Sequence, residues 1–94
     1  MFPDRLDNAS VLFYTAKGQY GKMYYTNGDV ASEYSYLAIC KYENCDGYYL
    51  FKCNQDYEVE ADSLWDSIDE CMRIAQTGCE YKTIEWIKRE FDWN

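Results

Sequence analysis

Between Lys52 and Arg73 the chain carries no basic residue, yet the interval holds Asp56, Glu58, Glu60, Asp62, Asp66, Asp69 and Glu70. Carboxylates this closely spaced can bind a divalent cation, share acid and base roles in catalysis, or meet a cationic partner. Spacing tests the first option. Asp56, Glu58, Glu60 and Asp62 fall on ligand positions 1, 3, 5 and 7 of an EF-hand loop. However, position 6, where that loop requires glycine, is Ala61, and position 12, where it requires a bidentate glutamate, is Ser67. The EF-hand is excluded, and no metal site or cofactor is expected.

Catalysis fares no better. Glycosidase-type acid and base work needs a cleft and one desolvated carboxyl, which a chain of 94 residues rarely encloses. The sequence has no histidine, so a Ser-His-Asp triad, a Cys-His pair and histidine-ligated zinc are all impossible. The five cysteines, Cys40, Cys45, Cys53, Cys71 and Cys79, form no C-x-x-C knuckle. Cys40, Cys53 and Cys71 sit in apolar patterns and read as small core residues, whereas Cys45 lies in a turn and is expected to be exposed. No glycine-rich phosphate loop is present. No enzyme is expected, and no residue is assigned a catalytic role.

Composition narrows the partner. A formal net charge of −8 opposes nucleic-acid binding, which draws its affinity from Lys and Arg neutralising phosphates, and it opposes an anionic membrane surface for the same reason. Eleven tyrosines, three tryptophans and four phenylalanines distinguish the chain from a disordered acidic tail. They supply large apolar area with a polar handle, as half-buried sheets and interfaces require. Behind Met1-Phe2-Pro3-Asp4-Arg5 there is no apolar run, so no secretory leader is expected and the chain is placed in the cytoplasm with reduced thiols.

The elements that must position these residues follow from periodicity. Residues 1–9 read as an irregular lead-in. Ser10 to Ala16 and Lys22 to Thr26 are short β-branched and aromatic runs typical of strands, and Asn27-Gly28 is a strong hairpin signal. From Tyr36 to Tyr42, Leu37, Ile39 and Lys41 alternate with Tyr36, Ala38, Cys40 and Tyr42, giving one aliphatic face and one of small and aromatic residues. Asn44-Cys45-Asp46-Gly47 predicts a turn with positive φ at Asp46-Gly47, and Tyr48 to Cys53 returns as an antiparallel strand. The acids from 56 to 62 suggest an extended crossing, with Tyr57, Val59 and Ala61 on its other side. A helix is predicted over 63–76, with Ser63 and Asp66 as its capping box, Trp65, Ile68, Met72 and Ala75 as its apolar stripe, an Asp69–Arg73 pair, and Gly78 at its end. Residues 81–94 fit a second short helix capped by Thr83, or, from Ile84 alternating with Trp86, an edge strand; the helix is favoured. Residues 1–94 are thus expected to form a single α+β domain. Its antiparallel sheet would have three to five strands and one main helix packed on one face.

On this frame the acidic interval reads as a binding surface. Asp56, Tyr57, Glu58, Glu60, Asp62, Asp66, Asp69 and Glu70 form the expected footprint for a basic protein, with attraction at long range raising the association rate. The competing reading is a solvated face whose charge keeps a tyrosine-rich domain in solution. Trp65, on the apolar stripe, is read as core.

The runs LAICKY at 37–42, YYLFKCN at 48–54 and ADSLWDSIDECM at 61–72 resemble small acidic bacterial immunity-type proteins of toxin–immunity systems. The resemblance implies an inhibitor that neutralises a toxin or nuclease by binding its basic surface. Two alternatives stand beside it: a phage-encoded nucleic-acid mimic that inhibits a host defence nuclease, and a non-inhibitory structural protein that self-associates through its tyrosine-rich sheet edge. The sequence leaves the oligomeric state open.

Overall fold

The computed structural model describes residues 2–79 and 82–89. Its main sheet contains β1 (Arg5–Leu6), β2 (Ala9–Tyr14), β5 (Tyr36–Lys41), β6 (Tyr48–Cys53) and β7 (Val59–Trp65) in the order β1-β2-β5-β6-β7. A further short strand, β8 (Ile87–Lys88), also pairs with β2. The strands β3 (Lys22–Tyr24) and β4 (Val30–Glu33) form a separate antiparallel hairpin. A single helix among the described residues, α1 (Ile68–Thr77), packs against β5, β6 and β7. Every pairing is antiparallel, so the expected α+β class holds.

The sheet is larger than the three to five strands expected. The lead-in contributes β1, residues 82–89 contribute β8, and part of the predicted helix is β7. Residues 59–65 alternate between half-buried and exposed along their whole length, the pattern of a strand with one covered face. Trp65 still reaches the core that α1 packs on, but from the strand. The helix starts five residues later than predicted, at Ile68, and its cap is Ser67, not Ser63: Ser67 Oγ accepts a hydrogen bond from the Glu70 amide at 3.1 Å. Gly78 caps its other end with φ −81°, so it works there without left-handed geometry. Over 82–89 the favoured second helix is replaced by β8; residues 81 and 90–94 of that prediction lie outside the described residues.

The alternation read in residues 36–42 sorts the interior into two cores. Leu37, Ile39 and Leu50 face the helix and meet Cys71, Ala75, Cys79 and Ile84. Ala38, Cys40, Phe51 and Cys53 face the other way and are closed over by Phe2 and Leu6. Phe51 and Leu50 are each 1% exposed, and full burial of such side chains contributes about 1.5–3 kcal/mol apiece. The N-terminal segment is therefore structural. Arg89 holds it from the far end of the described chain, donating to Asp4 Oδ1 at 2.7 Å and to the carbonyls of Phe2 and Pro3.

Between β5 and β6 the predicted turn is present, but neither Asp46 nor Gly47 has the positive φ expected there. Glycine is required for a different reason: a Cβ there would lie 2.7 Å from Leu64 Cδ1 and 2.8 Å from the Trp65 carbonyl oxygen. In the β3–β4 hairpin Gly28 does adopt φ +93°, and Asn27 Oδ1 accepts from the Asp29 amide, as an Asn-Gly turn should.

Candidate functional site

The β6–β7 connection is built on Asn54. Its Oδ1 accepts from the amides of Asp56 (2.9 Å) and Glu58 (3.0 Å), while its Nδ2 donates to Glu58 Oε1 and to Glu60 Oε1, both at 2.9 Å. The Asn54 carbonyl also takes the Tyr57 amide at 3.1 Å. One side chain thus folds the turn and holds two carboxylates side by side. Tyr57, at φ +64°, is turned inward. Its ring stacks on Tyr36 at 4.6 Å between centroids and meets the edge of Phe2 at 5.3 Å. The hydrogen bond with Tyr36 is the main influence raising the Tyr57 pKa, with burial second. Tyr57 is therefore a pin for the turn.

The other acids are distributed by the strand. In β7, Glu60 and Asp62 are exposed and Asp62 is paired in register with Phe51, whose side chain belongs to the core away from the helix. Asp66 lies beyond the far end of β7, in the link to α1. Asp69 and Glu70 are in the first turn of the helix, on the other side of the sheet. Acids in a first helical turn favour the helix dipole, which gives Asp69 and Glu70 a structural role of their own. The structure brings Asp56, Glu58 and Glu60 together around Asn54, continues them into Asp62, and separates them from Asp66, Asp69 and Glu70 by the length of β7, about 20 Å.

Beside Asn54 lies a recess of about 330 Å³ lined by Ser32, Glu33, Ser35, Asn54, Asp56 and Glu60. Ser32 Oγ is buried there without a hydrogen-bond partner. Of these residues, sequence reasoning found the two acids of the 56–60 run. Asn54 was legible as the first residue of an Asn-x-Asp turn, whereas Ser32, Glu33 and Ser35 arrive from β4 and its exit and carried no local signal.

The cations do not compensate this surface. Among the described residues the salt bridges are Lys22–Glu33 at 3.8 Å and Arg89–Asp4 at 2.7 Å; neither involves residues 56–70. The predicted Asp69–Arg73 pair is not closed to ion-pair distance. Lys41, Lys52, Lys82 and Arg89 instead sit over the rings of Tyr48, Tyr34, Tyr20 and Tyr14, at 4.8, 5.5, 4.1 and 5.2 Å from the centroids. Several of the tyrosines thus hold positive charge away from the acids. The uncompensated field is felt nearby: burial first, and then the Glu60 charge, raises the Tyr34 pKa.

No group of three His, Cys, Asp or Glu among the described residues is arranged to hold a metal ion. All five cysteines are free; Cys45 is half-buried and the other four are buried. No helix among the described residues is long and apolar enough to cross a membrane. Comparison with family models, with curated proteins and with solved structures finds no match for the chain.

Proposed function

We propose that this chain is a small acidic protein-binding module, an immunity-type inhibitor that neutralises a toxin or nuclease by covering its basic surface. The observation that carries the reading is the run Asp56, Glu58, Glu60 and Asp62. These carboxylates are exposed, set on a turn fixed by Asn54, and have no Lys or Arg within ion-pair distance among the described residues. Like charges held on a rigid frame without counter-ions are already positioned for a cationic partner, so little ordering cost remains at binding. The module works by occupation, without catalysis or cofactor, and in the cytoplasm of a bacterial cell. A phage-encoded nucleic-acid mimic would use the same carboxylates against a host nuclease.

The test is calorimetric titration of the purified chain into the product of the gene adjacent to its own, at low and at roughly 0.3 M salt. Nanomolar binding that weakens with salt, lost by about 100-fold or more in E58K/E60K, is the expected result. A separate D66K variant reports whether the far end of β7 takes part. Binding and cellular protection unchanged by all three reversals would remove the acidic surface from consideration.

Self-association is the second reading, and one observation favours it. In the β3–β4 hairpin and its loop Tyr24 and Tyr25 are 60% and 61% exposed, with Met23 and Val30 beside them. It predicts a concentration-dependent dimer by sedimentation, insensitive to E58K/E60K and abolished by Y24S/Y25S.

A further inference from the structure

At the opposite end of β5 from Asn54 lies a cleft of about 1070 Å³, lined by residues of β1, β2, the end of β5 and the β5–β6 turn. Arg5, Ser10 and Lys41 form its floor and are direct cross-strand partners: Arg5 pairs with Ser10 between β1 and β2, and Ser10 pairs with Lys41 between β2 and β5. Side chains of paired residues point to the same face, so the guanidinium, the hydroxyl and the ammonium stand in one row. The helix packs on β5, β6 and β7 and leaves this side of the sheet open. Leu12 adds an apolar wall, and Asn44 and Cys45 of the β5–β6 turn close the far rim.

We infer that this cleft binds a small organic anion, a carboxylate or phosphate monoester attached to an apolar group. In a chain of net charge −8, it gathers two cations that have no carboxylate partner among the described residues. Lys41 Nζ is held in place by a 2.6 Å hydrogen bond to the Cys45 carbonyl and by the Tyr48 ring. An ammonium has three donors, so others remain for a ligand. Arg5 supplies a planar fork suited to two oxygens of one anion, with Ser10 Oγ between the two cations. Leu12 would take the apolar part. The size lies just above the range usual for small-molecule sites, roughly 300–1,000 Å³, as expected for an open cleft. Glu43 also lines the cleft and opposes an anion; its charge sets an upper limit on affinity. This site is independent of the acidic turn, being opposite in sign and about 17 Å away along β5.

The experiment is a nitrogen-15 NMR titration of the whole chain with phenyl phosphate and with benzoate, using benzylamine as a cation of similar size. Saturable shifts at the amides of Arg5, Ser10, Asn44 and Cys45 are expected with an anion and not with benzylamine. Whichever anion binds more tightly identifies the headgroup. R5Q, at an exposed position, should weaken binding about tenfold, as should K41Q, while E43Q should tighten it several-fold and D29N, remote from the cleft, should leave it unchanged. A second readout needs no assignment: the anion should slow alkylation of Cys45 by iodoacetamide. Absence of saturable shifts with both anions, equal shifts with benzylamine, or binding indifferent to R5Q would overturn the proposal.

Discussion

Asn54 and Glu60 are joined by a 2.9 Å hydrogen bond from Nδ2 to Oε1, tying the residue after β6 to the second residue of β7. The same amide donates to Glu58, so two like charges share one neutral donor group. Removing Asn54 therefore takes away the turn's hydrogen bonds and leaves the carboxylates facing each other unscreened.

Asn54→Ala is expected to lower stability by about 1–2 kcal/mol. Asn54→Asp should cost more at low salt, since it adds a third carboxylate where two already meet, and added salt should recover part of the difference. Urea unfolding at two ionic strengths measures both. An Asn54→Asp protein as stable as the parent at low salt would show that the turn does not depend on this amide.

Ser67→Ala should lower stability by about 1 kcal/mol through loss of the helix cap. Ser63→Ala should spare the helix, because Ser63 lies within β7, where its Oγ accepts from Trp65 Nε1 at 2.7 Å. Circular dichroism on melting separates the two. Loss of helical signal in Ser63→Ala but not in Ser67→Ala would return the helix start to the earlier serine.

These two serines explain what was legible and what was not. The sequence offers Ser63…Asp66 and Ser67…Glu70, two consecutive capping patterns of equal spacing, and only the second has the glutamate that a capping box prefers. Trp65 decided the misreading, since it fits the helical stripe of Ile68 and Met72 while reaching the same core from a strand. Strand 48–53, its hairpin with 36–41 and the two-faced alternation of residues 36–42 were readable because each depends on local pattern alone. The two-residue strands β1 and β8 were not, because partners distant in sequence define them. In the candidate site, the acids were visible as a run, but their division between the two sides of the sheet followed from the late helix start. The role of the tyrosines as seats for Lys and Arg depends on tertiary contacts that spacing does not encode.

Gly47→Ala is expected to cost about 1–3 kcal/mol by overpacking. Leu64, 51% exposed, can swing away from the new methyl group, whereas the Trp65 carbonyl is fixed by the pairing of β6 with β7. Combining Gly47→Ala with Leu64→Ala should therefore fail to restore the melting temperature. Full rescue by the double variant would place the obstruction in the leucine side chain and not in the backbone.

The buried thiols give the fold an alkaline limit. Burial raises Cys53 from 9.0 to about 12 and, with the Glu70 charge adding to it, raises Cys71 to about 11; Cys40 is pushed higher still by burial and by its neighbours. In the unfolded chain these groups lose their protons near 9, whereas in the folded protein they keep them. The unfolded state therefore binds fewer protons above that pH, and the slope of stability against pH is negative. The stabilisation is fully present below pH 9 and is lost as pH rises towards the folded values. Denaturant midpoints should fall steadily between pH 9 and 11, with Cys53→Ala flattening the fall. Below that range, Ellman's reagent on the native protein should find one fast thiol, Cys45, with the four buried ones reacting only on unfolding. A midpoint that holds level to pH 11, or two thiols reacting quickly in the native state, would contradict this account of the core.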